Sequence, residues 1–119
     1  MTKPPLRVCI TLGTRPEAIK LAPVIQVFRQ SPAFTTQVIL TGQHREMVEQ
    51  VMQLFNLQAD QDLAIMQPQQ TLTEITCRSL QGLDTLYRQA CPQIVLVQGD
   101  TTTAFAAALA AFYQQIPVG

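Results

Sequence analysis

The sequence predicts an α/β fold, a Rossmann-like parallel sheet flanked by helices, and three observations predict it. Short apolar runs alternate with helical periodicity four times along 119 residues. The runs "RVCITL", "TQVILT" and "QIVLVQG" are apolar without a strict inside–outside alternation, as strands covered on both faces are. Each of the three leads into a polar turn bearing a glycine, and the next helical pattern starts there: "GTRPE", "TGQHRE" and "GDTTT".

Taken in order, the first strand is 7–12. Residues 15–30 put Ala18, Leu21, Ile25 and Phe28 on one helical face. Pro23 lies inside that helix and is expected to kink it. "SPAF" breaks the pattern, and 36–41 is the second strand. Residues 45–55 form a helix with Val48, Val51, Met52 and Phe55 on its apolar stripe. "DLAIM" at 62–66 is a weak third strand. A long helix over 71–90 opens with Thr71 and Glu74, a capping-box pair. The strand at 93–99 precedes an alanine-rich helix over 101–114, whose small residues allow close approach to a sheet. "IPVG" then begins a fifth strand. Residues 1–119 therefore read as one domain with an incomplete sheet, expected to be a fragment of a larger protein.

Composition narrows the partners. With 47% hydrophobic residues the chain can build a core. Only 13% are charged, so part of the surface is expected to be covered. Net charge is zero and the pI is about 6.5, which gives no basic field for nucleic acid or an acidic membrane. No apolar stretch approaches the ~18 residues of a membrane span, and the N-terminus has no small-residue cleavage site of a signal peptide. Cys9, Cys77 and Cys91 fit neither a zinc site nor a redox motif and read as reduced thiols of a cytoplasmic protein. His44 is the sole histidine, so a histidine-rich metal site cannot be built from this chain alone.

In open parallel sheets ligands bind beyond the carboxyl ends of the strands, so the three turns hold the candidate chemistry. In "GTRPE", Thr14 as N-cap, Pro16 in the first turn and Glu17 three residues after Thr14 need no ligand. Arg15 and Lys20 are not explained in that way. A cation at a helix N-terminus is disfavoured by roughly 0.3–1 kcal/mol. Either the two point into water or they frame an anion at the helix start, such as phosphate or a nucleotide sugar. They are five residues apart and subtend ~140°, a shared broad face without stacking. Neither G-x-G-x-x-G nor G-x-x-x-x-G-K-[ST] occurs. Asp100 is either the N-cap of the next helix or an acid, base or hydroxyl clamp on a sugar. The threonines Thr101 to Thr103 can each cap or bind. His44 reads as a capping or surface residue.

The stretches "GTRPEAIKLAPV", "TGQHREMVEQV", "DLAIMQPQQTLTEIT" and "VLVQGDTTTAFAAALAAFYQQIPVG" together resemble the N-terminal third of the bacterial non-hydrolysing UDP-N-acetylglucosamine 2-epimerases. The resemblance implies the N-terminal domain portion of a glycosyltransferase-B-like two-domain fold with its active site in the cleft. It implies interconversion of UDP-N-acetylglucosamine and UDP-N-acetylmannosamine by elimination of UDP across C1–C2 and re-addition, without metal or other cofactor. Arg15 and Lys20 match the family's substrate-site cations. Asp100 matches a residue at the substrate, placed to act as catalytic acid or base. Gln43 and Gln70 match contacts of an activating second UDP-N-acetylglucosamine, whereas Glu46 and Gln69 depart from the pattern of that site. The resemblance also implies a homodimer at full length and a role in polysaccharide biosynthesis. A catalytic glutamate, a second glutamate and a histidine of the family lie beyond the matched segment, so the 119 residues alone are expected to be inactive. Two rivals are a non-catalytic nucleotide-sugar-binding or interaction module and a glycosyltransferase of the same architecture.

Overall fold

Leu6–Leu12 forms β1, the strand around which the sheet is assembled in the computed structural model, which describes residues 3–119. It pairs in parallel with β2 (Phe34–Leu40) on one side and with β4 (Ile94–Leu96) on the other. A two-residue β3 (Gln61–Asp62) extends the sheet beyond β2, giving the order β3-β2-β1-β4. Val118 bridges to Val95 outside β4, also in parallel. The order therefore reverses at β1: β2 and β3 build outwards on one side, β4 and the next strand on the other. In open sheets such a reversal marks the place where ligands bind, here the carboxyl ends of β1 and β4.

Alternation along β1 sorts the helices. Val8, Ile10 and Leu12 face α1 (Arg15–Gln30) and α2 (Arg45–Leu54), where Ala18, Leu21, Ile25, Val48, Val51 and Met52 close one core. Cys9 and Ile39 point to the opposite face. There α3 (Leu72–Ala90) and α4 (Thr102–Tyr113) supply Leu83, Tyr87, Ala106, Ala107, Ala110 and Ala111. The expected stripes of α1 and α2 are the ones buried, with Phe28 and Phe55 half-buried at their ends. The alanines let α4 lie close against the sheet, as its composition predicts. α1 is continuous through Pro23.

The weak strand expected at 62–66 is two residues long. Ala64 takes a left-handed backbone, φ 49°, which ends the extended run. Leu63 and Ile65 still donate their N–H groups to Leu40 and Thr41, so the segment follows the end of β2 without strand geometry. The strand expected at 93–99 is confined to Ile94–Leu96. "IPVG" does join the sheet: Gly119 N–H donates to Val95 at 2.9 Å and Val95 N–H to Pro117 at 3.0 Å.

One polar pair ties the sheet to α3 inside the core. The hydroxyls of Thr11 and Tyr87, both fully buried, share a hydrogen bond of 2.6 Å between β1 and α3. Burial pushes the Tyr87 phenol above its ordinary pKa, an effect its bond to Thr11 opposes. Tyr87→Phe is therefore expected to strand the Thr11 hydroxyl and cost about 1–3 kcal/mol, read as a lower urea midpoint. Burial, with Asp60 adding to it, pushes the Cys9 thiol up to about 11, so it is neutral at pH 8. Cys77 and Cys91 are exposed. A thiol reagent at pH 8 should label those two rapidly and reach Cys9 only on unfolding; three fast thiols would contradict the packing.

Candidate active site

Parallel register brings the three turns to one edge. Leu12 lies opposite Leu40, and Ile10 opposite Leu96, so β1 and β2 end together and β4 ends two residues short of them at the same edge. The turns are then tied to one another. His44 N–H donates to Gly13 O at 2.8 Å, and Thr41 N–H to Leu12 O at 3.1 Å. The hydroxyls of Thr41 and Thr103 are 3.0 Å apart, and Thr103 donates to Gln43 Oε1 at 2.8 Å. Gly13 lies beneath these hydroxyls. A Cβ there would overlap both Thr41 Oγ1 and Thr103 Oγ1, so the junction requires glycine.

Glu17 is the centre of this edge. It is 1% exposed. Its Oε2 accepts from Thr14 N–H at 2.8 Å, from Gly13 N–H at 3.3 Å and from the Thr14 hydroxyl. Its Oε1 accepts from the Thr101 hydroxyl at 2.9 Å, across 84 residues of sequence. A buried carboxylate costs several kcal/mol unless paired or well bonded. Here donors on both oxygens, together with the N-terminal field of α1, hold it. Two amide donors that an anion could have taken at the start of α1 are thus already occupied. Any anion recognition at this helix falls mainly to side chains. The same carboxylate explains why a cation is tolerated at position 15: Glu17 supplies negative charge at the helix start without any ligand.

Asp100 is not the N-cap of α4. Thr101 is, its hydroxyl accepting from Ala104 N–H at 3.1 Å. The reason is the turn itself: Gly99, at φ +87°, takes a backbone conformation that L side chains rarely adopt, and the chain reaches helical geometry three residues later, at Thr102. Asp100 is left exposed, one residue before the bonded Thr101, with no hydrogen bond or ion pair among the described residues. Arg15 is exposed on the first residue of α1, and Lys20 is exposed further along it; neither forms an ion pair among the described residues. The Thr101–Glu17 bond holds the turns carrying Arg15 and Asp100 against each other.

Gln43 belongs to the same edge through Thr103. Gln70 does not share its bonds. Its side chain closes a local turn, donating to Ile65 O at 2.9 Å and accepting from Gln67 N–H at 2.8 Å. His44 is exposed and opens α2 without a side-chain cap bond. Thr41 and the second oxygen of Glu17 are the participants that sequence pattern does not single out. Gly13 and Gly42 are the signal that their turns pack closely, but they do not say on what. Clefts of about 500 Å³ between α2 and β3 and about 520 Å³ beside Tyr113 contain neither Arg15 nor Asp100. The candidate site is an open wall.

Comparison with known proteins agrees with this fold. Residues 26–119 match the family model described as UDP-N-acetylglucosamine 2-epimerase. The chain is 54% identical over 114 residues to the UDP-N-acetylglucosamine 2-epimerase of Escherichia coli K12, covering 96% of this chain and 30% of that protein. It is 51% identical to the Bacillus subtilis enzyme of that name over the same shares. It superimposes with a TM-score of 0.92 and 53% identity on the crystal structure of the Neisseria meningitidis UDP-GlcNAc 2-epimerase bound to UDP-GlcNAc, covering 96% of this chain and 31% of that one. The Methanocaldococcus jannaschii enzyme in complex with UDP-GlcNAc and UDP gives 0.89 at 32% identity, over 96% and 32%. The chain thus spans about 30% of the length of the curated relatives it matches.

The cap assignment is testable by stability. Thr101→Val removes both the α4 cap and a donor to Glu17 and is expected to cost about 1–3 kcal/mol. Asp100→Ala, which removes the carboxylate oxygens Asp100 could cap with, should stay within about 0.5 kcal/mol of the parent, as surface changes do. Equal urea midpoints for the two variants would return the capping role to Asp100.

Proposed function

The chain belongs to the UDP-N-acetylglucosamine 2-epimerase family, and from that premise we propose that it forms the substrate wall of an isomerase interconverting UDP-N-acetylglucosamine and UDP-N-acetylmannosamine. The observation that carries the reading is the meeting of the α1 and α4 starts at the point where strand order reverses. There Glu17 joins the two turns, and Arg15 and Asp100 are exposed beside it. In the proposed reaction a base removes the C2 proton while UDP leaves C1. UDP then adds back to the glycal, and a proton returns to the opposite face of C2.

Arg15 and Lys20 serve as countercharges for the diphosphate, since the amides of Gly13 and Thr14 are engaged by Glu17. Asp100 is the acid–base or sugar-orienting group; Thr101 frees it from capping. Arg15, Lys20 and Asp100 present one open wall, whereas good sites bury ~70–90% of their ligand. Turnover is therefore expected only where a second wall, from the other domain of the two-domain fold, closes over this one. Gln43 and Gln70 remain the proposed contacts of an activating UDP-N-acetylglucosamine. Gln43 supports that role best, because its carbonyl is bonded to Thr103 on the helix that follows Asp100. Homodimerisation, a cytoplasmic setting and supply of N-acetylmannosamine units for polysaccharide belong to the same proposal.

The test is the complete gene product incubated with UDP-N-acetylglucosamine in deuterium oxide. Deuterium at C2 with formation of the manno epimer is expected. Binding without turnover would favour a nucleotide-sugar-binding module, and sugar transfer to an acceptor a glycosyltransferase. Asp100→Asn should lower turnover by the roughly 10²–10⁴-fold typical of acid–base groups. Arg15→Ala and Lys20→Ala should weaken turnover with an unchanged Tm. Wild-type kinetics in all three would remove these residues from the site.

A further inference from the structure

We propose that Glu17 is a positioning residue for this reaction: its buried carboxylate locks the β1–α1 and β4–α4 turns together and so sets the placement of Arg15 against Asp100. The inference rests on the function proposed above and adds a residue to it. Capping alone does not account for Glu17. A glutamate at the third position of a helix completes a capping box with one oxygen, and it does so at the surface. Here the side chain is 1% exposed, and only Oε2 is spent on Gly13 and Thr14. Oε1 reaches another helix and accepts the Thr101 hydroxyl at 2.9 Å. That hydroxyl in turn accepts from Ala104 N–H at 3.1 Å.

One proton-donating hydroxyl and one carboxylate thus join the first turns of α1 and α4. The arrangement is directional. Oε2 faces backbone N–H donors and Oε1 faces a hydroxyl that is free to donate, so an ionised carboxylate satisfies every partner at once. Aspartate at this position keeps the charge but is one carbon short of spanning both turns. Arg15 is one residue from Thr14, and Asp100 one residue from Thr101, so loosening the lock moves the two groups independently. A misplacement of about 1 Å in a catalytic constellation can cost on the order of 10²-fold in rate.

The experiment uses the complete gene product with Glu17→Asp, Thr101→Val, the pair combined, and Thr101→Ser. Expected is a kcat about 10²-fold lower for Glu17→Asp and for Thr101→Val. KM should change by only a few-fold, and amide exchange in residues 13–15 and 99–103 should be faster. The double variant should be no worse than the worse single one, and Thr101→Ser, which keeps the hydroxyl, should recover most of the loss. Unchanged kcat per folded molecule in either single variant, or additive losses in the double, would overturn the proposal and leave Glu17 a structural cap. If the parent protein neither binds nor epimerises UDP-N-acetylglucosamine, the function proposed above fails, and exchange decides this inference separately: no faster exchange in those turns would overturn the lock. Should Glu17→Asp fail to fold, Thr101→Val, a swap of hydroxyl for methyl, carries the same test.

Discussion

Gly13 stands where the turns after three parallel strands meet, and there is no room at its α-carbon for a side chain, because the hydroxyls of Thr41 and Thr103 occupy the space. This close crossing governs the edge of the sheet at which the three turns meet. The carbonyls of Leu12 and Gly13 accept from Thr41 and His44, which fixes the exit of β2 on the exit of β1. Thr103, bonded to Thr41 and Gln43, brings the start of α4 onto the same point. Three helices therefore begin from one hydrogen-bonded base, and the exposed charges on their first turns sit on a rigid support.

The electrostatics of that base turn on Glu17. Helix starts attract anions, and an open helix start beside two cations would be a ready anion site. The protein fills part of that position with its own carboxylate, 1% exposed and bonded through both oxygens. The internal anion offsets the penalty of Arg15 at the first position of α1.

The layers beneath serve this edge. β1 must be apolar on both faces, since one face meets α1 and α2 and the other meets α3 and α4. Where a polar residue is required, as at Thr11, it is paired across to Tyr87. Small residues on α4 keep that helix close to the sheet, which places Thr101 within reach of Glu17.

The sequence by itself determined the repeating strand–helix order, the parallel sheet, the buried faces of α1 and α2, the caps at Thr14 and Thr71, and the three glycine turns that share one edge. All of these are local: periodicity of 3.6 or 2, a cap and its partner three residues on, a glycine before a helix. Arg15, Lys20 and Asp100 were legible as residues that the local rules leave unexplained. Only the tertiary structure decided that Thr101 rather than Asp100 caps α4, that β3 shrinks to two residues at Ala64, and that Gln43 shares the edge while Gln70 closes a turn of its own. It alone showed that the Glu17 capping box is half of a bond to Thr101. The physical reason is distance along the chain. A contact across 84 residues has no period or spacing to announce it, and it exists only because parallel strands of matched register end on one edge and bring separate helix starts within hydrogen-bond reach.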